Sequence, residues 1–137
     1  QVKQFTLIAK GYDKEIICEI QANLHFNINK VELAHLIDNN LSNGIKYGKQ
    51  AKPLIVKLEM ISRSITMTFA NEGNEIIDKN NIFERYVRES KDPIGQGIGL
   101  NLVREIANKY SIKIDVIYEN NQNKFIYTFS EKLCTIP

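Results

Sequence analysis

The chain has 137 residues, of which 43% are hydrophobic and 25% are charged, and its formal net charge is +2. This length and composition fit one globular domain with a substantial core, and the charge is too small to indicate a nucleic-acid-binding surface. With two cysteines and two histidines, all far apart, the sequence offers neither a disulfide framework nor a metal cluster. No apolar run approaches the ~20 residues that cross a bilayer, so we expect a cytoplasmic domain without membrane contact of its own.

The first part of the chain predicts two strands and a long helix. Residues 5–8 and 15–20 are apolar segments typical of strands. Asn29 can cap a helix, and Glu32 follows three residues later in a pattern close to a capping box. The helix is predicted to end before Gly48, because glycine is preferred just past a helix terminus.

The middle of the chain predicts a hairpin and a long connection. Apolar and polar residues alternate over 54–60 and 65–69, which indicates half-buried strands. Ser62-Arg63 is the predicted turn between them. Residues 72–96 are rich in glycine, asparagine and charge, and a connection of this length is usually functional.

The last third predicts a second helix and two more strands. Apolar residues of the helix recur at spacings of three and four: Leu100, Val103, Ile106, Ala107 and Tyr110. Alternating strands follow at 112–116 and 125–129, with a turn at 120–122. The whole predicts an α+β fold, a two-layer sandwich of helices on one face of an antiparallel or mixed sheet.

The first helix is predicted to be two-sided. Its apolar side is predicted to consist of Ala34, Ile37, Leu41 and Ile45. Its polar side recurs at i, i+4, i+8 and i+11 and consists of His35, Asn39, Asn43 and Lys46. A solvated face is the simpler interpretation, but asparagine is a mediocre helix former. Asparagine offers an oxygen to Mg²⁺ and an N–H to phosphate, Lys46 offers a charge to phosphate, and Tyr47 offers a flat face to a base.

A glycine cluster precedes the second helix. Gly95, Gly97 and Gly99 stand at alternate positions before Leu100, where free N–H groups of a helix start can meet phosphate. The spacing is neither the dinucleotide-binding pattern nor the Walker pattern. A plain turn and a nucleotide site of another kind both remain open.

Asn71 and Gly73 lie just past the predicted strand at 65–69, within the segment 71–76. A carboxamide beside a glycine at a strand end can read the polar edge of a base. A plain turn explains the same residues equally well.

Together these segments resemble the ATP-binding domain shared by gyrase, the heat-shock chaperone, histidine kinases and the mismatch-repair ATPase, known as the Bergerat fold. Residues 35–47 resemble the N box of that family, 71–76 the first glycine box and 95–100 the second. Residues 82–88 resemble the F box, which is particular to histidine kinases. The resemblance covers nearly all of 29–129 and implies about three helices on one face of a mixed, mostly antiparallel sheet.

The resemblance implies roles for individual residues. Asn39 would coordinate Mg²⁺ with help from Asn43, Lys46 would contact phosphate, and Arg85 or Arg88 would reach the terminal phosphate. The phosphates would also be wrapped by the second glycine box, namely Gly95, Gly97, Gly99 and Leu100. The base would be held by Tyr47, Asn71, Gly73 and Ile76. Residues 77–96 would form a flexible lid over the ATP within a single domain spanning 1–137.

Three residues depart from the family pattern. Asn71 and Glu75 replace the aspartate and the second glycine of the first glycine box. The asparagine carbonyl can still accept a hydrogen bond from adenine, but without charge the bond should be weaker. His35 stands where hydrolytic relatives place a glutamate that activates water.

The resemblance therefore implies the catalytic domain of a sensor histidine kinase, with ATP and Mg²⁺ as ligands. Its partners would be a separate dimerisation domain carrying the phospho-accepting histidine and, indirectly, a response regulator. The parent protein can be membrane-anchored or not. The alternatives left open are an inert nucleotide-binding or regulatory module, a serine kinase like the anti-sigma factors, and a gyrase-like hydrolase.

Overall fold

The computed structural model describes residues 1–9, 14–49, 51–84 and 99–135. Within these ranges the α-helices are α1 (Lys30–Tyr47) and α2 (Gly99–Tyr110), and 3₁₀ helices lie at Asn81–Phe83 and Glu131–Leu133. The strands are β1 (Val2–Ala9), β2 (Lys14–Gln21), β3 (His25–Phe26), β4 (Leu54–Ile61), β5 (Ser64–Glu72), β6 (Lys113–Glu119), β7 (Gln122–Phe129) and β8 (Cys134–Thr135). Neither α-helix is long and apolar enough to cross a bilayer.

Six of these strands form one sheet in the order β1-β2-β4-β5-β7-β6. β2 and β4 pair in parallel, and every other neighbouring pair in this sheet is antiparallel. β3 and β8 form a separate two-stranded ribbon. The predicted α+β class and the mixed, mostly antiparallel sheet are therefore confirmed.

The core lies between this sheet and the two α-helices. Alternate residues of β5 and β7 face it, as period-two patterning predicts. The largest of them are Ile65, Phe69, Phe125, Tyr127 and Phe129. Phe69 and Tyr127 meet edge to face with ring centroids 5.9 Å apart. Burying each such side chain contributes about 1.5–3 kcal/mol.

Both predicted hairpin turns are confirmed. Ser62 and Arg63 have φ values of 49° and 71°, and Asn120 and Asn121 have 53° and 62°. Two consecutive positive φ values are the geometry of a type I′ turn, whose twist matches that of the flanking strands. Gln122, which was expected in the second turn, is the first residue of β7.

The ends of α1 are where they were predicted, but for partly different reasons. The Asn29 side chain accepts hydrogen bonds from the Val31 and Glu32 amides at 2.9 and 3.1 Å. The Glu32 carboxylate does not complete the capping box; it accepts hydrogen bonds from Lys109 and Tyr110 of α2. Gly48 follows the helix in an extended conformation, with φ −75°, so glycine is not needed there for a left-handed cap.

The buried face of α1 was predicted only in part. Its buried residues are Leu36, Asn40 and Gly44, and Ile37, Leu41 and Ile45 are half-buried beside them. Ala34 is exposed, contrary to the prediction. The buried stripe of α1 contains a polar asparagine and a glycine. A prediction from hydrophobicity alone therefore misplaces the buried face of the helix.

Two further expectations need correction. The described residues hold two α-helices, one fewer than the resemblance implied. The ribbon of β3 and β8 was not predicted, because two-residue strands have no periodicity to detect.

Candidate functional site

The predicted polar face of α1 lies beside the start of α2. Asn39, Asn43 and Lys46 are half-buried, and His35 is exposed. A Cβ placed on Gly99 would lie 3.4 Å from both Cγ and Oδ1 of Asn39. Gly99 is the first residue of α2, where unpaired N–H groups and the helix dipole favour an anion. The fold thus places the Asn39 carboxamide beside a helix N-terminus, which is a favourable position for a phosphate.

Asn71 lies at the opposite end of this face, where β5 ends against the end of α1. It is 8% exposed, and its Oδ1 is buried without a hydrogen-bond partner in the described part of the chain. A Cβ on Gly44 would lie 2.8 Å from Asn71 Nδ2, and a Cβ on Gly48 would lie 2.6 Å from its Oδ1. Both glycines are therefore needed for space, because a larger residue would push the carboxamide aside.

The segment after β5 is fixed from the neighbouring hairpin of β6 and β7. The Tyr118 hydroxyl donates to Gly73 O at 2.9 Å, and the Gly73 amide donates to Asn121 O at 3.2 Å. Asn123 accepts from the Ile76 amide at 3.0 Å and donates to Asn74 O at 2.8 Å. The segment from Gly73 to Ile76 is thereby fixed to the β6–β7 hairpin, and its contact with a base stays a prediction.

Tyr47 is the residue that was predicted to offer a flat face to a base. Tyr47 is 47% exposed at the end of α1, and a Cβ on Gly73 would lie 4.0 Å from Tyr47 O. Ile76 is half-buried against the core. Glu75, which replaces a family glycine, points to solvent and pairs with Lys79 at 3.4 Å. It therefore adds no charge to the interior of the pocket.

Phe83 anchors the segment that resembles the F box. Its side chain is 1% exposed, and its ring lies 6.1 Å from that of Phe125 and 4.9 Å from the Arg104 guanidinium. Asn101 of α2 is 3.5 Å from Phe83 O, at the limit of a hydrogen bond. The side chain of Leu100, the second residue of α2, is buried in the core, and its part in holding the phosphates stays a prediction. The other predicted phosphate residues, Arg85, Arg88, Gly95 and Gly97, lie outside the described residues.

Sequence reasoning missed three buried polar residues around this site. Asn40 bonds Tyr127 in the core, Asn123 holds the segment after β5, and Lys14 donates to Lys49 O at 2.7 Å. Their partners are between 35 and 87 residues away, so no local pattern marks them. Lys14 is 1% exposed, and this burial lowers the pKa of its ammonium.

In the described ranges, no group of three or more His, Cys, Asp or Glu side chains is placed to hold a metal ion. On the polar face of α1, Asn39 and Asn43 carry neutral carboxamides and Lys46 carries an ammonium group. Such a set cannot retain a divalent cation alone, but it can supply one oxygen to a Mg²⁺ already held by phosphates.

Residues 28–132 match the family of histidine kinase-, DNA gyrase B- and HSP90-like ATPases. The sensor histidine kinase HprS of Escherichia coli is 26% identical over 88% of this chain, which corresponds to 27% of HprS. The sensor histidine kinase YcbM of Bacillus subtilis is 31% identical over 59% of this chain and 28% of its own. The chain thus spans about a quarter of the length of these relatives.

The fold matches solved histidine kinase structures. Full-length ShkA in complex with AMPPNP superimposes with a TM-score of 0.73 at 17% identity, covering 89% of this chain and 26% of ShkA. The mycobacterial sensor histidine kinase MprB superimposes with a TM-score of 0.67 at 19% identity, covering 90% and 76%. At these identities the likeness establishes the fold, which is that of a histidine kinase catalytic domain.

Proposed function

This chain belongs to the family of histidine kinase-, DNA gyrase B- and HSP90-like ATPases, and we propose that it binds Mg-ATP in the cleft between Asn39 and Asn71. In this proposal it is the catalytic domain of a sensor histidine kinase. It presents the γ-phosphate of ATP to a histidine on a separate dimerisation domain of the parent kinase, and a response regulator receives the phosphoryl group afterwards.

The observation that carries the proposal is the contact between Asn39 and Gly99. It joins the polar face of α1 to the N-terminus of α2, which is the part of a helix that favours an anion. If the polar side chains of α1 only contacted solvent, nothing would favour the approach of one of them to a glycine at the start of a helix. The close approach of a carboxamide to that glycine fits a site that handles a phosphate chain and its cation together.

Mg²⁺ would take one oxygen from Asn39, with Asn43 one helical turn further along assisting. When bound, the cation supplies charge neutralisation and orientation of the phosphates. Lys46, three residues beyond Asn43 on the same face, would contact a phosphate oxygen directly. The neutrality of both carboxamides suits a site where the phosphates already hold the cation.

The base would lie on Tyr47, with Ile76 lining its other side and Gly73 leaving room for close approach. Asn71 would read the polar edge of the base from the end of β5. Its burial supports this role, because a hydrogen bond made in a water-poor pocket discriminates more strongly than one made in solvent. Asn123 would act indirectly by holding the segment from Gly73 to Ile76.

Phosphoryl transfer requires positioning and charge neutralisation more than covalent chemistry. Arg85 or Arg88 would approach the terminal phosphate, and residues 77–96 would close over the nucleotide as a lid. His35 is exposed on α1 and His25 is exposed on β3, so both belong to the ATP-binding domain itself and neither stands on a separate dimerisation helix. The isolated chain should therefore not phosphorylate itself, and a stable phosphohistidine on it would contradict this assignment.

Calorimetric titration of Mg-ATP tests the proposal. The wild type should bind saturably, Asn39→Ala should lose most of the affinity, and Asn71→Ala should lose part of it. Asn108→Ala, an exposed asparagine on α2, is the matched control and should bind like the wild type. A folded wild type that binds no Mg-ATP would move the function to an inert module of the same fold.

A further inference from the structure

The ammonium group of Lys14 is buried near the side chain of Asn71. Lys14 is the first residue of β2 and is 1% exposed, which is rare for lysine. One of its N–H groups donates to Lys49 O at 2.7 Å, just past the end of α1. An ammonium has three donors, and this is the one hydrogen bond that it makes to a described residue.

The oxygen of Asn71 lies in the same small space. A Cβ on Gly48 would lie 2.9 Å from Lys14 Nζ, 2.6 Å from Asn71 Oδ1 and 2.8 Å from Gly44 O. The ammonium and two carbonyl oxygens therefore surround one point beside Gly48. Asn71 Oδ1 is fully buried and has no hydrogen-bond partner in the described ranges, so its relation to the ammonium is one of facing opposite charges and not of a hydrogen bond.

This arrangement determines which way the carboxamide faces. With Oδ1 toward the ammonium, opposite partial charges meet, whereas a reversed carboxamide would point its N–H₂ donors at Lys14. A buried ammonium loses much of its hydration, so the preference for an oxygen neighbour is strong there. Nδ2 is then on the side of the carboxamide that faces Gly44, where a Cβ would lie 2.8 Å from it.

We propose that Lys14 is a positioning residue of the base pocket: it holds Asn71 with Oδ1 inward, so that Nδ2 is the atom offered to a nucleobase. This inference rests on the nucleotide site proposed above. A donor at this position can bond the ring nitrogen N1 of adenine or the O6 carbonyl of guanine. A carboxylate at the same position accepts only, so it would favour the adenine amino group and repel O6. The pair Lys14 and Asn71 therefore makes a site that tolerates both purines.

The action of Lys14 through Asn71 is tested by a double-mutant cycle on Mg-ADP affinity. Lys14→Met, which keeps the length and apolar stem, should weaken binding about 3- to 10-fold. In an Asn71→Ala background the same change should have less than about a twofold effect. Equal losses in both backgrounds would mean that Lys14 merely supports the fold, and this would overturn the inference.

Two further variants complete the cycle. Lys57→Met, on an exposed lysine of β4, is the control and should leave affinity unchanged. Lys14→Gln keeps a neutral donor and should fall between the wild type and Lys14→Met; it also replaces Lys14→Met in the cycle if urea unfolding shows that the latter does not fold.

The orientation of Asn71 is tested by comparing Mg-ADP with Mg-GDP. The wild type should bind the two within about tenfold, and Asn71→Asp should raise the preference for adenine to about 100-fold. A wild type that discriminates as strongly as Asn71→Asp would overturn the inference while leaving nucleotide binding intact. A wild type that binds neither nucleotide would overturn the proposed function as well.

Discussion

The Tyr127 hydroxyl donates a 2.7 Å hydrogen bond to Asn40 Oδ1 in the middle of the core. Tyr127 is fully buried on β7 and Asn40 is 2% exposed on α1, so the bond joins the sheet to the helix layer. Asn40 also donates to Leu36 O at 2.9 Å, one turn back along α1. This pair fixes the rotation of α1 about its own axis, and the adjacent Asn39 is thereby directed toward Gly99.

Tyr127→Phe should destabilise the protein by about 1–3 kcal/mol, because it leaves a buried carboxamide oxygen without a donor. The measurement is urea unfolding of the mutant against the wild type. Adding Asn40→Leu should recover part of the loss, since replacing both partners by apolar groups removes the unsatisfied atom. An unchanged unfolding midpoint in Tyr127→Phe would show that the hydrogen bond does not stabilise the core.

Asn39 and Asn40 show where sequence reasoning stops. Both are asparagines of one helix. The spacing of the polar residues correctly placed Asn39, and not Asn40, on the polar face of α1. The structural role of Asn40 depends on a tyrosine 87 residues away, so no window of the sequence contains it. Local features were predictable because their causes are local, as with the Asn29 cap and the turn at Asn120-Asn121.

The same distinction holds for the candidate site. Asn39, Asn71 and Gly99 could be proposed as site residues because their segments together resemble the boxes of one family, although each segment alone has a simpler explanation. Lys14 and Asn123 support the site from other strands, and a lysine at a strand start or an asparagine in a strand carries no functional signal in the sequence. Only the sheet order β2-β4-β5-β7 brings them to Asn71.

Acid should destabilise the protein through the contact between α1 and α2. The Tyr110 hydroxyl, 2.6 Å from Glu32 Oε1, and the Lys109 ammonium at 2.9 Å hold the pKa of Glu32 below its usual range. The unfolded state then binds more protons than the folded state near the usual pKa of about 4.3. This contribution to stability is complete above that pH and is lost as the pH falls through the lower folded-state pKa.

Glu32→Gln should therefore flatten the dependence of Tm on pH below about pH 4.5. Thermal unfolding between about pH 3 and 6 gives the comparison, and Glu105→Gln, at an exposed position of α2, is the control. If both variants followed the wild-type curve in parallel, the contact between the helices would not be the source of the acid sensitivity.

Gly44→Val should reduce both stability and nucleotide binding. A Cβ at this position would lie 2.8 Å from Asn71 Nδ2 and 2.9 Å from Leu54 Cδ1, so the larger side chain must displace one of them. Overpacking of this kind costs about 1–3 kcal/mol. Ser42→Val, at an exposed position of the same helix, introduces the same β-branched side chain without the clash. Urea unfolding and Mg-ADP titration should separate the two variants, and equal behaviour would show that the space beside Asn71 is not restricted.

Asn123→Ala should destabilise the segment from Gly73 to Ile76 locally, and it should destabilise the sheet less. Asn123 is 6% exposed, and its carboxamide accepts from the Ile76 amide and donates to Asn74 O. Removing it leaves a buried amide without an acceptor, at a cost of about 1–3 kcal/mol. Because this cost falls on one local segment, hydrogen exchange at the Ile76 amide should accelerate more than exchange in β5 or β7.

Two comparisons decide between a local and a global effect of Asn123→Ala. Tyr118→Phe removes only the hydrogen bond to Gly73 O, so it should accelerate exchange at Ile76 less than Asn123→Ala does. Lys124→Ala, the next residue on the opposite face of β7, should leave exchange at Ile76 unchanged. Uniform acceleration across β5, β7 and Ile76 in Asn123→Ala would mean that Asn123 stabilises the whole sheet. It would then have no separate part in shaping the pocket, and a fall in Mg-ADP affinity would simply follow global stability.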